Sequence, residues 1–181
     1  MSGVYIALLR AINVGGTKKL LMAELRAMFE AAGCADVRTY IQSGNVVFRA
    51  EPALAARIPE LIEAEIAATK GFQVPVVTRS AAELGAVVDG NPFLAAGADP
   101  AKLHVGFLAE EPSAARIAEL GPDRSPQDAF EVRGRDVYLH FPNGTARSKL
   151  TVDYFDRTLG TTITIRNWRT VGKLLEMVGG D

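Results

Sequence analysis

The sequence predicts an α+β fold in which a ferredoxin-like β-α-β-β-α-β plan occurs twice, each copy with an extra helix. The two halves open on similar apolar runs, VYIALL at residues 4–9 and LHVGFL at residues 103–108. Each half closes on a strand-like segment that leads into a helix, VPVVTRS at 74–80 and ITIRN at 163–167. A repeat of this kind indicates architecture more firmly than any single motif does.

The first half begins with residues 4–9, an apolar run without alternation, which predicts a strand buried on both faces. A glycine-containing loop follows over 12–21. Apolar residues then recur at helical spacing from Met22 to Ala32, and Gly33 ends that helix. Residues 36–42 and 46–49 predict two strands joined by a hairpin turn.

The rest of the first half is predicted to be a helix, a strand and the extra helix. Residues 52–69 are alanine-rich and helical in period, and Pro59 should kink this helix or mark its true start. Residues 73–78 predict the fourth strand. Ser80 then caps the extra helix, with Glu83 completing a capping box.

Residues 91–101 separate the halves, because they contain prolines, Gly97 and little periodicity. The predicted subdomains are therefore 1–90 and 102–181. The second repeats the order of the first, with a final helix capped by Asn167. Its predicted strands are 102–109, 129–133, 136–141 and 162–166, and its predicted helices before the final one are 113–120 and 148–159.

The first strand carries a consequence for packing. Helices cover only one face of the sheet in this plan, yet both the Val4, Ile6, Leu8 set and the Tyr5, Ala7, Leu9 set are apolar. Something must bury the second face, since an exposed apolar sheet is uncommon on a monomer. The sibling half, the extra helices and another subunit, as in a homo-oligomer, stay open as the covering element.

Composition narrows the classes of protein. The chain has 181 residues, 48% hydrophobic and 23% charged, with a net charge of −1, which is ordinary for a globular protein. The near-neutral charge argues against a dedicated duplex-DNA binder. However, residues 131–173 hold eight Lys and Arg against four Asp and Glu, which indicates a local basic face.

The single cysteine, Cys34, excludes an intramolecular disulfide and fits a reducing cytoplasm. It is interpreted as a small buried side chain rather than a nucleophile. The sequence shows neither a signal peptide nor an apolar run long enough to span a membrane. We therefore expect a cytoplasmic protein without a membrane partner.

Three stretches resemble a known family. They are YIALLRAINVGG at 5–16, DVRTYIQSGNVVF at 36–48 and RNWRTV at 166–171. Together they are similar to the bacterial family called domain of unknown function 1697. The resemblance implies a duplicated α+β fold related to ferredoxin-like domains, and it implies no reaction, cofactor or substrate. In that family Gly usually follows the first arginine, and Ala11 here argues against a need for positive φ at that position.

The loop after the first strand is the first candidate site. Its glycines, Gly15 and Gly16, would let backbone N–H groups converge on an anion near a helix start. The candidate side chains are Arg10, Asn13 and Lys18, with Lys19 adding charge. The segment lacks the spacing of a P-loop, and no dinucleotide fingerprint occurs in the chain. A tight connection with solvated lysines is the alternative interpretation.

The hairpin turn is the second candidate, because the polar tip carrying Ser43 and Asn45 could face a ligand. Asn and Gly tolerate left-handed φ, so turn formation alone also explains the sequence. An enzyme of unrecognised type would need Arg10, Asn13, Ser43 and Asn45 to converge in one pocket.

Two more cationic segments precede helices in the second half. Arg166, Asn167, Trp168 and Arg169 place two guanidinium groups and an indole at a strand-to-helix junction, and Arg147 with Lys149 follows a turn. Arginine suits phosphate or carboxylate, and an indole can stack on a base. Capping, packing and solvated charge are the alternatives, and the Arg79–Ser80 pair in the first half favours a structural role for Arg166 and Asn167.

No metal ligation pattern occurs, so neither a metal nor a cofactor is predicted. The leading hypothesis is a binding module for a phosphate- or carboxylate-bearing ligand, with a nucleotide or a single-stranded nucleic acid among the candidates. An enzyme and a structural or protein-interaction module are the alternatives, and no catalytic residue can be assigned.

Overall fold

The computed structural model describes residues 1–180 and divides into two compact units. One comprises Met1–Ala86 together with the chain from Leu174 onward, and the other comprises Val87–Lys173. Each contains a four-stranded antiparallel sheet and helices. The predicted duplicated α+β fold class is confirmed, while subdomain boundaries at 90 and 102 stay a prediction.

The first unit has the element order β-α-β-β-α-β followed by a further helix. Its sheet has the order β2-β3-β1-β4, so β1 is central and antiparallel to both β3 and β4. The elements are β1 (Gly3–Leu9), α1 (Met22–Ala31), β2 (Ala35–Tyr40), β3 (Asn45–Ala50), α2 (Pro52–Lys70), β4 (Val76–Ser80) and α3 (Ala81–Asp89).

The second unit repeats this order, and its sheet runs β6-β7-β5-β8 with β5 central. Ahead of β5, the predicted linker contains a short helix and leads into a 3₁₀ turn, Pro100–Lys102. The elements are α4 (Pro92–Ala95), β5 (Leu103–Leu108), α5 (Ala114–Ala118), β6 (Ala129–Arg133), β7 (Asp136–His140), α6 (Val152–Leu159), β8 (Ile163–Asn167) and α7 (Trp168–Gly179), of which the part up to Lys173 belongs to this unit.

The core of the first unit lies between the sheet and α1 and α2. Ala7 and Leu9 point into it together with Phe29 and Phe48, whose ring centroids are 5.2 Å apart. Because side chains alternate along a strand, Ile6 and Leu8 lie on the opposite face, and they too are fully buried. Burial of this strand on both faces therefore matches the expectation from its unbroken apolar run.

The two sheets correspond residue by residue in the central strand and in its two hydrogen-bonded neighbours. Leu9 N–H donates to Gly44 O at 2.8 Å, and Leu108 N–H donates to Arg135 O at 2.8 Å. At the neighbouring strands, Ile6 pairs with Arg79 and Val105 pairs with Arg166. This register makes Ser80 the counterpart of Asn167.

Both of these counterparts cap the helix that follows. Glu83 N–H donates to Ser80 Oγ at 3.1 Å, and Ser80 N–H donates to the Glu83 carboxylate at 2.7 Å, which completes the predicted capping box. Thr170 N–H donates to Asn167 Oδ1 at 2.9 Å. The predicted caps at 80 and 167 are therefore present.

One helix prediction needs correction, and one of the two alternatives for Pro59 is excluded. α6 begins at Val152 rather than at residue 148, because Thr151 is the cap that accepts Tyr154 N–H, and Lys149 N–H donates to Ser125 instead. Pro59 lies inside α2 and does not mark its start, which is at Pro52. Pro59 has no N–H, so it withholds one helical hydrogen bond from the turn before it.

Within residues 1–180, no helix combines the length and the apolar character that crossing a bilayer requires.

Packing at the central strand of the second unit predicts opposite effects for two glycine substitutions. A Cβ on buried Gly106 would lie 2.4 Å from Ile163 Cδ1 and 3.0 Å from its Cγ1, whereas a Cβ on Gly85 in α3 meets open space. Gly106→Ala should lower the free energy of unfolding by about 1–3 kcal/mol through overpacking. Gly85→Ala should raise it by about 0.5–1 kcal/mol through helix propensity. Urea unfolding of both variants checks this, and equal effects would contradict the packing argument.

Candidate functional site

The loop after β1 and the neighbouring hairpin turn hold several non-glycine residues with left-handed backbone. The φ angles are 58° at Ala11, 55° at Asn13, 47° at Lys18 and 48° at Ile41. Such angles are uncommon outside glycine and are outliers for a β-branched residue. The expectation that position 11 has no need for a positive φ, because it is alanine here, is therefore wrong. Strained residues cluster at functional sites, which directs attention to this corner.

The side chain of Asn13 holds the corner together. Its Nδ2 donates to Leu20 O at 2.9 Å and to Gln42 O at 2.8 Å, while its Oδ1 accepts Leu20 N–H at 2.9 Å. The backbone N–H of Asn13 donates to Lys18 O at 3.1 Å. We call these contacts the Asn13 clamp. The clamp closes the loop on itself and ties it to the hairpin turn.

The hairpin turn is built from the inside. Asn45 is fully buried, and its Nδ2 donates to Ser43 Oγ at 2.9 Å and to Tyr40 O at 3.2 Å. Gly44 has φ 84°, and a Cβ there would lie 2.7 Å from Leu9 Cβ. The Asn45 amide therefore supports the turn from within the core. This role agrees with the interpretation in which these residues only form the turn.

An open pocket of about 430 Å³ lies beside the clamp. The predicted residues Asn13 and Gly16 line it, whereas Arg10, Ser43 and Asn45 are not among its lining residues. The other lining residues are Lys19, Leu20, Leu21, Glu24, Gln42 and Lys70. Sequence reasoning did not select Gln42, Glu24 or Lys70, since they come from three other elements.

Charges in this pocket are unevenly paired. Lys70 Nζ lies 2.6 Å from Glu24 Oε1, and Leu21 N–H donates to the second Glu24 oxygen at 3.2 Å. The hydrogen bond from Lys70, and then that from Leu21, lower the pKa of Glu24. Lys18 Nζ donates a hydrogen bond to Gln73 O at 2.8 Å. Among the described residues, the exposed side chain of Lys19 has no ion-pair partner, so the pocket keeps one uncompensated cation.

Large apolar side chains are exposed around the clamp. Val14 is 61% exposed, Leu21 69% and Ile41 53%. Each is the chain neighbour of a residue in the clamp, respectively Asn13, Leu20 and Gln42. We call these three side chains the apolar rim. The corner thus combines a cation with apolar contact surface.

The second unit places its predicted cations in two different pockets. Arg147 and Lys149 line a pocket of about 460 Å³ with Ser125 and Ser148. Arg124 stacks on the Tyr154 ring nearby, 3.8 Å from its centroid, and donates to Lys149 O at 2.9 Å. Both lining cations are exposed.

The other pocket, of about 390 Å³, is lined by Asn167, Trp168 and Arg169. Pro100, Ala101 and Leu103 complete its wall. Arg166 is not among these residues. It lies in β8 with its Nη1 donating to Ile165 O at 3.1 Å, and burial lowers its pKa to about 10.

The predicted site residues therefore occupy different ends of the shared plan. The Asn13 clamp lies at the carboxyl end of β1, where Leu8 pairs with Asn45. Asn167 lies at the amino end of β5, where it pairs with His104. Within residues 1–180, no group of three His, Cys, Asp or Glu side chains is arranged to hold a metal ion.

The comparisons with known proteins assign the chain to a family. A family model described as a protein of unknown function (DUF1697) matches residues 3–138. The chain belongs to this family. Its fold is similar to the solved structure of the conserved bacterial protein SP0830 from Streptococcus pneumoniae, with a TM-score of 0.75 and 25% sequence identity over 98% of this chain and 99% of that one. No curated protein matches the chain.

The DUF1697 match covers the whole corner of the first unit. The Asn13 clamp, the apolar rim and every lining residue of the adjacent pocket fall within residues 3–138. Arg147, Lys149 and the Trp168 pocket extend beyond the matched range. The family assignment itself carries no ligand or reaction.

The clamp can be tested by two substitutions that differ only in backbone freedom. Asn13→Gly keeps the left-handed φ and loses three side-chain hydrogen bonds, which should cost about 1–3 kcal/mol of unfolding free energy. Asn13→Ala loses the same bonds and adds left-handed strain, so it should cost about 1–2 kcal/mol more. Urea denaturation measures both, and wild-type stability in both variants would show that the clamp contributes nothing.

Cys34 offers a pH-dependent test of core burial. It is 7% exposed, and burial raises its pKa to about 11. The unfolded thiol loses its proton at lower pH than the folded one, so the stability that this cysteine contributes should fall as pH rises from about 9 to about 11. The wild type should therefore lose more stability across this range than Cys34→Ala does. Parallel curves for the two proteins, measured by urea unfolding, would contradict burial of the thiol.

Proposed function

We propose that this protein is a binding module for a phosphate- or carboxylate-bearing ligand, and that the ligand binds in the pocket beside the Asn13 clamp. The observation that carries the proposal is the uncompensated Lys19 in a pocket whose walls are held by a hydrogen-bonded and strained loop. A preformed pocket lowers the ordering cost that a ligand must overcome.

Polar groups of the pocket suit an anion. Lys19 supplies the positive charge, and the neighbouring Lys70 and Glu24 form an ion pair that a ligand anion could reorganise. α1 starts beside the pocket, and its cap residue, Leu21, provides no side-chain hydrogen bond to the first turn. Backbone N–H groups at such a helix start attract negative charge.

The apolar rim suits a second part of the same ligand. Leu21 both lines the pocket and is 69% exposed, so an organic group next to the anion would gain contact area there. A nucleotide fits this description, as does a carboxylic acid with an apolar chain. A single-stranded nucleic acid remains within the proposal because it offers the same phosphate and ring chemistry.

The apolar rim also favours a protein-interaction module as the second candidate function, since exposed apolar patches often mark protein–protein interfaces. The enzyme hypothesis receives less support. Asn13 and Asn45 use their amides within the loop and the turn, and Ser43 Oγ accepts from Asn45, so at least three of its four proposed polar groups have structural partners.

Thermal unfolding with a panel of anions tests the proposal. The probes are inorganic phosphate, nucleoside mono-, di- and triphosphates, dicarboxylates, fatty acids and short oligonucleotides. A binding probe at a hundredfold excess over its Kd should add about 2.7 kcal/mol. For a chain of this size the expected rise in Tm is about 5–10 °C.

Two charge variants locate the effect. Lys19→Gln should remove most of the ligand-dependent rise, because it deletes the unpaired cation. Arg57→Gln changes an exposed arginine on α2 and should leave the rise unchanged. The proposal fails if no anion raises Tm, or if the two variants respond alike. A concentration-dependent increase in molecular size without any anion response would favour the interaction module.

A further inference from the structure

We propose that the pocket at the start of α7 is a second ligand site, which binds a nucleoside phosphate with its ring on Trp168 and its phosphate at Arg169. This inference concerns the second unit and does not depend on the site proposed for the first. It rests on a comparison of the residues that the two units have at the same strand-to-helix junction.

The first unit shows that the fold needs neither an indole nor a guanidinium here. Asn167 corresponds to Ser80, both by strand register and by capping the following helix through the residue three positions later. Trp168 and Arg169 therefore correspond to Ala81 and Ala82. Alanines suffice for the same strand-to-helix junction in the first unit.

The two side chains line a pocket that also has apolar lining residues. Trp168 is half-buried and lines the pocket with Pro100, Ala101 and Leu103. Hydrogen bonds anchor the segment that carries these three residues, since Asp99 caps the 3₁₀ turn at Ala101 and Phe141 N–H donates to Lys102 O at 2.9 Å. The Asp99 carboxylate is thus engaged with the backbone.

Arg169 supplies the charge at this pocket. It is exposed, and among the described residues its side chain has no ion-pair or hydrogen-bond partner. A guanidinium fork binds phosphate oxygens in pairs, and an indole face stacks on a nucleobase. One planar ring joined to one phosphate is the smallest ligand that uses both groups. A free nucleotide and a single-stranded nucleic acid share this chemistry.

The chain contains one tryptophan, so binding can be observed directly at this site. Selective excitation of the indole during titration reports contact with Trp168. Adenosine monophosphate should quench the emission saturably, adenosine should bind more weakly, and inorganic phosphate should leave the emission unchanged. A short oligodeoxyadenylate that binds more tightly than the mononucleotide assigns the site to a strand, and the reverse order assigns it to free nucleotides.

Variants separate the site from general charge effects. Arg169→Gln should weaken binding of adenosine monophosphate about tenfold, as expected for one charge-assisted contact. Arg157→Gln, at an exposed arginine of α6, should have no effect. The double variant Trp168→Ala with Arg169→Ala recreates the pair found in the first unit and should fold normally, yet show no binding by calorimetry.

Absence of saturable quenching by every nucleotide and oligonucleotide would overturn the inference, as would equal weakening by Arg169→Gln and Arg157→Gln. If the double variant failed to fold, the surface variant Arg169→Gln would still decide the matter. Lys19→Gln should leave the Trp168 signal unchanged. Failure of this second site can therefore be distinguished from failure of the site in the first unit.

Discussion

Burial of the central strand on both faces is the constraint on which the first unit depends. Ile6, Ala7, Leu8 and Leu9 are all fully buried, and β1 has a hydrogen-bonded neighbour on either side. Over these four residues the strand has neither a solvent-facing side nor a free edge for polar chemistry. Groups that could meet a ligand are therefore displaced to the loops at its ends, which is where the Asn13 clamp and its pocket lie.

The Asn13 clamp stabilises the sharp turn that the chain makes after this buried strand. A loop leaving a buried strand must turn sharply before it reaches α1, and it does so through left-handed residues, Ala11, Asn13 and Lys18 among them. Each such residue other than glycine costs free energy. The hydrogen bonds of the Asn13 side chain offset part of that cost by fixing Leu20 and Gln42 at once. A loop held in this way presents its side chains in one arrangement.

Local patterns were enough to predict the fold, because each element carries its own signal. The unbroken apolar run of β1, the turn at Gly44 and the caps at Ser80 and Asn167 all act within a few residues of where they are read. The pocket could be predicted only in part. Lys70 and Gln42 reach it from α2 and the hairpin turn, and no local pattern relates them to Asn13. The predicted α6 was too long because Lys149 N–H donates to Ser125 Oγ, in a loop distant in sequence, and residues 148–151 are not helical.

Two copies of one plan also provide an internal control for function. The connection after β1 spans residues 10–21, whereas the equivalent connection after β5 spans only 109–113. The long version, with its clamp, is therefore an addition that the plan does not need. At the strand-to-helix junction it is the second unit that has more than the fold needs. Ala81 and Ala82 are sufficient there in the first unit, whereas the second unit has Trp168 and Arg169 at the same positions. Each unit thus carries residues beyond the structural minimum at a place where its counterpart has only that minimum, and this difference is the basis of the two separate site proposals.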